Sequence, residues 1–164
     1  MPNLVQIAHA GVERLAERLL GISLRRGAAS RLPAHLAVGI AGEQAACFYL
    51  LKNGFQVVAR RWSAANLEGD LDLVAWQGDL LCFVEVKSRT AHDLNPAEIA
   101  VDQHKRRLLR RLARAYLRLS GLPAQTQTRF DILAVYLLAN QKQEFQHFTA
   151  AFGWSEDGQR DSWN

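Results

Sequence analysis

The sequence predicts an α/β protein in which a central mixed β-sheet is flanked by α-helices, with a helical extension at the N-terminus. Three observations lead there. Stretches with helical spacing of apolar residues and strand-like stretches follow one another in the order helix, three strands, helix, one or two strands. Residues 67 to 88 alternate between faces with the period of two expected of paired strands. Turn residues such as Asn53-Gly54, Gln77-Gly78 and Gly121-Leu122-Pro123 punctuate the elements.

Taken in order, residues 4 to 20 read as a helix, since Val5, Val12, Leu15, Ala16 and Leu19 recur at helical spacing. The polar, small-residue stretch 24 to 33 follows, so residues 1 to 34 form an extension and linker. The main domain covers 35 to 152. It opens with a helix at about 36 to 52, stopped by Asn53-Gly54. A short strand is expected at 55 to 62, then two longer strands joined at Gln77-Gly78. A helix at about 96 to 119 has Asn95, Pro96 and Glu98 as starting signals. A strand at 128 to 138 follows, with 144 to 148 able to pair with it. The polar residues 153 to 164 read as a flexible tail.

The 164 residues suffice for one core. No apolar run approaches the roughly 18 residues that span a bilayer, and Glu13, Arg14, Glu17 and Arg18 break up any secretory or transit pattern. The expectation is a cytoplasmic protein with no membrane partner. Cys47 and Cys82 lie in apolar stretches and read as core residues, and the five histidines show no metal-ligand spacing.

The chemistry gathers on the strand pair. With a two-residue turn at Gln77-Gly78, Leu71 and Leu73 face Val84 and Cys82, and one side of the hairpin is apolar. The other side collects Asp70, Asp72, Glu85 and Lys87, with Asp72 diagonal to Glu85. On the preceding helix, Glu43 falls on the inward stripe of Leu36, Ile40, Cys47, Leu50 and Leu51. A carboxylate there needs a partner, for which a metal ion or Lys87 is suitable, and Gly39 and Gly42 would let another element come close. Three carboxylates and a lysine are an oxygen-rich set suited to Mg²⁺ or Mn²⁺. Asp72, Glu85 and Glu43 would hold the ion, and Lys87 would orient an attacking water or stabilise developing phosphate charge.

A second cluster is basic. The helix at 96 to 119 carries Lys105, Arg106, Arg107, Arg110, Arg111, Arg114 and Arg118 with no acid between Gln103 and Leu119. Leu108, Leu112, Ala115 and Leu119, with Val101, are expected to be buried; Arg107, Arg111, Arg114 and Arg118 line an exposed stripe, and Lys105 lies near the buried side. Arg60, Arg61 and Arg89 flank the hairpin. This is the footprint of phosphate binding. Asp131 reads as an ion-pair partner of Arg129.

Gly42-Glu43, Gly69-Asp70-Leu71-Asp72-Leu73-Val74-Ala75, Phe83-Val84-Glu85-Val86-Lys87-Ser88-Arg89, Lys105 ahead of Ala113 and Tyr116-Leu117, and Arg129-Phe130-Asp131 resemble the YraN-like family of bacterial proteins, a family without settled function. The resemblance runs over about 36 to 152. It implies a fold similar to archaeal Holliday-junction resolvases and restriction endonucleases. It also implies a PD-(D/E)xK active site at Glu43, Asp72, Glu85 and Lys87, and action on DNA, including branched or junction DNA. Resolvases act as dimers, which adds a homodimer to the expectations. Asp70 departs from the family, which usually has Glu there, and the stretch 63 to 68 lacks the family's basic character. The alternative expectation is a non-catalytic nucleic-acid-binding protein that keeps the nuclease fold.

Overall fold

The computed structural model describes residues 33–91, 101–139 and 141–155. The helix read at 4 to 20, the start signals at 95 to 98 and the tail from 156 lie outside them. The described elements are α1 (Ala34–Lys52), β1 (Gln56–Trp62), β2 (Leu71–Gln77), β3 (Leu80–Arg89), α2 (Gln103–Leu119), β4 (Thr128–Tyr136) and β5 (Glu144–Phe152). They form the α/β architecture that the sequence predicts. One five-stranded sheet runs β1-β2-β3-β4-β5. Only β3 and β4 are parallel, joined by the crossover that contains α2; the other neighbours are antiparallel.

Both helices end by the same local device. At the end of α1 the Phe55 amide donates to Leu50 O at 3.0 Å and the Gly54 amide to Leu51 O at 3.2 Å. At the end of α2 the Leu122 amide donates to Leu117 O at 3.3 Å and the Gly121 amide to Arg118 O at 3.4 Å. This motif needs a left-handed residue, and Gly54 (φ +81°) and Gly121 (φ +64°) supply it. The described start of α2 is Asp102, whose carboxylate accepts from the Lys105 amide at 2.8 Å.

The hairpin turn is one residue later than expected. Gln77 pairs with Leu80 and Leu73 with Val84, so Gly78-Asp79 forms the two-residue turn. Partners therefore shift by two residues, an even slip that keeps Leu73, Ala75, Cys82 and Val84 on one face. Continued by one residue, this register sets Asp72 opposite Glu85 rather than diagonal to it.

Helices cover both faces of the sheet. Under α1, Ala46, Cys47 and Leu50 pack with Leu73, Ala75, Cys82, Val84, Leu133 and Val135. Under α2, Leu109, Leu112, Ala113 and Tyr116 pack with Val74, Leu81, Phe83, Phe130 and Ile132. Leu71, expected beside Leu73, joins this second cluster. The two layers are why β3 is buried from Leu81 to Val86. Each fully buried leucine in them contributes about 1.5–3 kcal/mol.

Three expectations about burial change. The α2 core face is Leu109, Leu112, Ala113, Ala115 and Tyr116, while Leu119 is exposed. Leu36, expected on the inward stripe of α1, is exposed. Against the expectation that no apolar stretch approaches a membrane-spanning length, α1 is long and apolar enough by composition to cross a membrane; in the fold, Ala45, Ala46, Cys47 and Leu50 are buried against the sheet. The chain after β5 is also not loose at once, since Arg110 donates to Gly153 O (2.8 Å) and Ser155 O (2.9 Å).

Gly42 fixes how close α1 sits to the sheet. A Cβ on Gly42 would fall on the Ser88 side chain and 3.6 Å from Ser88 Cα. The glycine lets the helix backbone rest on β3 at the level of Lys87 and Ser88. Gly39 has open space beside it and makes no such approach.

Candidate active site

Three elements and a helix terminus bring the acidic and basic residues together. The start of β2 supplies Asp72, the second half of β3 supplies Glu85 and Lys87, α1 supplies Glu43, and the first turn of α2 supplies Lys105. An open cleft of about 610 Å³ is lined by Glu43, Asp72, Glu85 and Lys87 together with His35 and Ser88. The four side chains expected to form a site thus share one cavity. His35 and Ser88 carry no sequence signal for this; their place follows from the approach of α1 to β3.

Within the cleft the contacts are specific. Glu85 is 4% exposed. Its Oε1 is 2.9 Å from Lys87 Nζ and 3.1 Å from Lys105 Nζ. Its Oε2 is buried and has no hydrogen-bond partner. Asp72 Oδ2 accepts a 2.7 Å hydrogen bond from the Val86 amide. Glu43 finds neither Lys87 nor the core as its partner. Arg61 Nε lies 3.7 Å from Glu43 and 3.6 Å from Asp70, bridging α1 to the chain before β2. Arg61 adopts a left-handed backbone, φ +46°, to do so, a conformation that is uncommon for a residue with a side chain. Neither the bridge nor the strain is visible in the sequence.

The electrostatics follow from crowding three carboxylates in a half-dry cleft. Burial pushes Asp72 up to about 7, with the nearby Glu85 charge adding to the effect and the Val86 amide and Lys105 opposing it. Burial also raises Glu43, against the attraction of Arg61. Burial alone would lower Lys105, but Glu85, Asp72 and Asp70 outweigh it and its pKa is raised. Negative charge is thus crowded at the cleft: Glu85 adds to the rise at Asp72 and, with Asp72 and Asp70, raises Lys105.

A divalent cation fits this donor set. The unpartnered Glu85 Oε2 and the raised Asp72 are two carboxylates that a positive charge would stabilise, and Mg²⁺ commonly takes only one or two carboxylates and keeps its waters. Among the described residues no group of three His, Cys, Asp or Glu side chains is drawn together to enclose an ion. Glu43, held by Arg61, stands on the cleft wall as a more distant contributor.

The basic residues divide into three sets. Arg107, Arg111, Arg114 and Arg118 are exposed along α2, as expected, with Arg114 stacked 5.3 Å over Trp154. Arg106 and Arg110 turn inward over Phe152, and Arg110 is buried. Arg60 and Arg89 are half-buried beside the hairpin, Arg61 serves the acidic cluster, and Lys105 reaches Glu85.

Asp131 is fully buried on the far side of β4 and is structural. It accepts from Arg129 Nε (2.7 Å), from His147 Nε2 (2.9 Å) and from the Ala150 amide (2.9 Å). Burial would raise its pKa, but these hydrogen bonds hold it below the usual carboxylate range. The sequence shows the Arg129 pairing; His147 and Ala150 come from the bulged strand β5, which no local pattern connects to it.

The five-stranded mixed sheet between two helices, with acidic residues and a lysine at one end of β2 and β3, defines an α/β protein consistent with a restriction-endonuclease-like core. The chain belongs to the uncharacterised protein family UPF0102, the YraN-like family, whose model matches residues 42–135. It is 49% identical over 105 residues to a UPF0102 protein of Koribacter versatilis, covering 64% of this chain and 72% of that one. It is 44% identical over 107 residues to one from Solibacter usitatus, 65% and 80% of the two chains, and 39% identical over 116 residues to one from Chloroflexus aurantiacus, 71% and 92%.

Proposed function

We propose that the chain is a Mg²⁺- or Mn²⁺-dependent endonuclease that hydrolyses DNA phosphodiesters, with branched or junction DNA as the substrate class. The observation that carries this reading is the meeting of Asp72, Glu85 and Lys87 with Glu43 in one open cleft, where one oxygen of Glu85 is buried without a partner. Asp72 and Glu85 hold the cation, and Glu43 adds negative charge from the opposite wall. A divalent cation bound there supplies a Lewis acid for the phosphate and acidifies its bound water. Lys87, beside Glu85, is placed to steady the charge that develops on the phosphate. The stripe Arg107, Arg111, Arg114 and Arg118 holds the backbone of the nucleic acid, with Arg60, Arg61 and Arg89 nearer the cleft. We take the domain to work in the cytoplasm and as a homodimer.

A second reading has a specific observation in its favour. Glu85 Oε1 is already met by two ammonium groups, as a nuclease fold that only binds nucleic acid would allow. One experiment separates the two. Calorimetric titration of the parent with MnCl₂, paired with incubation on plasmid and four-way-junction DNA, should show cation uptake and cleavage. Asp72→Asn and Glu85→Gln should lose both and stay folded, with cleavage down on the order of 100-fold or more. DNA binding without cation uptake or cleavage by the parent would establish the binding protein instead.

A further inference from the structure

Lys105 stands where a helix ordinarily rejects a cation. It lies in the first turn of α2, three residues past the cap Asp102. That turn carries the positive end of the helix dipole and its unsatisfied amides, which favour anions and disfavour an ammonium group. The turn itself carries no acid, and the cap Asp102 spends its carboxylate on the Lys105 amide. The side chain is also largely withdrawn from water, at 28% exposed. What holds it is Glu85 Oε1 at 3.1 Å, across the gap between α2 and β3.

The same oxygen already has Lys87 at 2.9 Å, from its own strand. Lys87 alone would serve to pair the carboxylate. The second ammonium comes from a different element, and both crowd Oε1 while Oε2 is left bare. A lysine that only bound nucleic acid would do better on the exposed face with Arg107 and Arg111.

We infer that Lys105 is a built-in counter-ion for the cation site, which holds Glu85 in place while no divalent ion is bound and swings from Glu85 onto a phosphate of the nucleic acid when one enters. The inference rests on the proposed function. Lys105 is a positioning residue: it acts on the cation through Glu85. Its presence weakens cation binding to the free protein, because a positive charge sits against the ligand, and strengthens it when a phosphate is there to receive the ammonium. Cation and nucleic acid then bind cooperatively, and the coupling is reciprocal.

The test is Mn²⁺ titration by calorimetry of full-length parent, Lys105→Met and Lys105→Arg, without and with an uncleavable phosphorothioate DNA duplex. Without DNA, Lys105→Met should bind Mn²⁺ about tenfold more tightly than the parent, the low end of what one neighbouring charge does to an ionic equilibrium. Lys105→Arg, which keeps the charge, should resemble the parent. With DNA, the parent should gain affinity and Lys105→Met should not. Equal or weaker Mn²⁺ binding by Lys105→Met, with Lys105→Arg also unchanged, would overturn the inference and leave the proposed function standing. No Mn²⁺ uptake by the parent, with or without DNA, would overturn both. Should Lys105→Met fail to fold, lysine acetylation of the parent read by mass spectrometry decides: Mn²⁺ with DNA must change the reactivity of Lys105, and Mn²⁺ alone must raise it. An unchanged rate in both cases would refute the release.

Discussion

Asp72 Oδ2 accepts a hydrogen bond of 2.7 Å from the amide of Val86, the residue after Glu85. This contact ties β2 to β3 at the point where their acidic side chains meet. Burial and the nearby Glu85 charge raise Asp72, and this hydrogen bond opposes both. The consequences can be measured.

The first concerns pH. Asp72 protonates near 7 in the folded protein, against 3.8 for an ordinary aspartate. The folded state therefore binds this proton more tightly than the unfolded chain does. The contribution of Asp72 to stability must fall as pH rises from about 4 to about 7, and its whole penalty is present above 7. In chelator-treated buffer at pH 8, Asp72→Asn should be more stable than the parent by on the order of 1 kcal/mol, the difference vanishing below pH 4. Urea unfolding across this range checks it, and a variant less stable than the parent at pH 8 would contradict the buried charge.

The arginine stripe gives the second prediction. Replacing Arg107, Arg111, Arg114 and Arg118 together by Gln should weaken binding to all DNA sequences alike. The slope of log affinity against log salt should become shallower by somewhat under one unit for each lost phosphate contact. Fluorescence anisotropy at several salt concentrations measures both. If affinity and slope stay at parent values, the stripe is a solvated face.

Gly42 offers a packing test. Ala at this position places a methyl group on Ser88, so Gly42→Ala should destabilise the domain by about 1–3 kcal/mol, as overpacking does. Ser88→Gly in the same chain should recover most of the loss, because the obstructing side chain is then gone. Thermal unfolding of the parent and the two variants reads this directly. Failure of the second substitution to rescue would mean that the approach of α1 to β3 is limited by another contact.

Asp131 gives a prediction about the core. Asp131→Asn leaves Arg129 and His147 facing a neutral group in a buried place, and should cost about 3 kcal/mol at pH 7. The parent's folded pKa is depressed, so this stability is present above about pH 4 and is lost as pH falls through the lower folded value. The gap between parent and variant should therefore narrow on acidification. A gap that widens instead would show that Asp131 is not held as the anion.

Much of this protein was decided by the sequence alone. Alternation along 71–77 and 80–88 places Asp72, Glu85 and Lys87 on a common face whichever even register forms, and the Asn53-Gly54 and Gly121 signals end the two helices where they end. The charge of the α2 stripe and the odd carboxylate at Glu43 are equally legible, because local spacing reports which face a residue takes. What lies across from that face was decided only by the tertiary structure. Arg61 rather than Lys87 meets Glu43, Lys105 reaches Glu85 from another helix, His147 and Ala150 close around Asp131, and α2 covers what would otherwise be a half-exposed hairpin face. These partners are far apart along the chain. Their distances depend on strand register, on the close approach at Gly42 and on how each helix is seated; periodicity within one segment limits the register to even slips and carries no information about the other two.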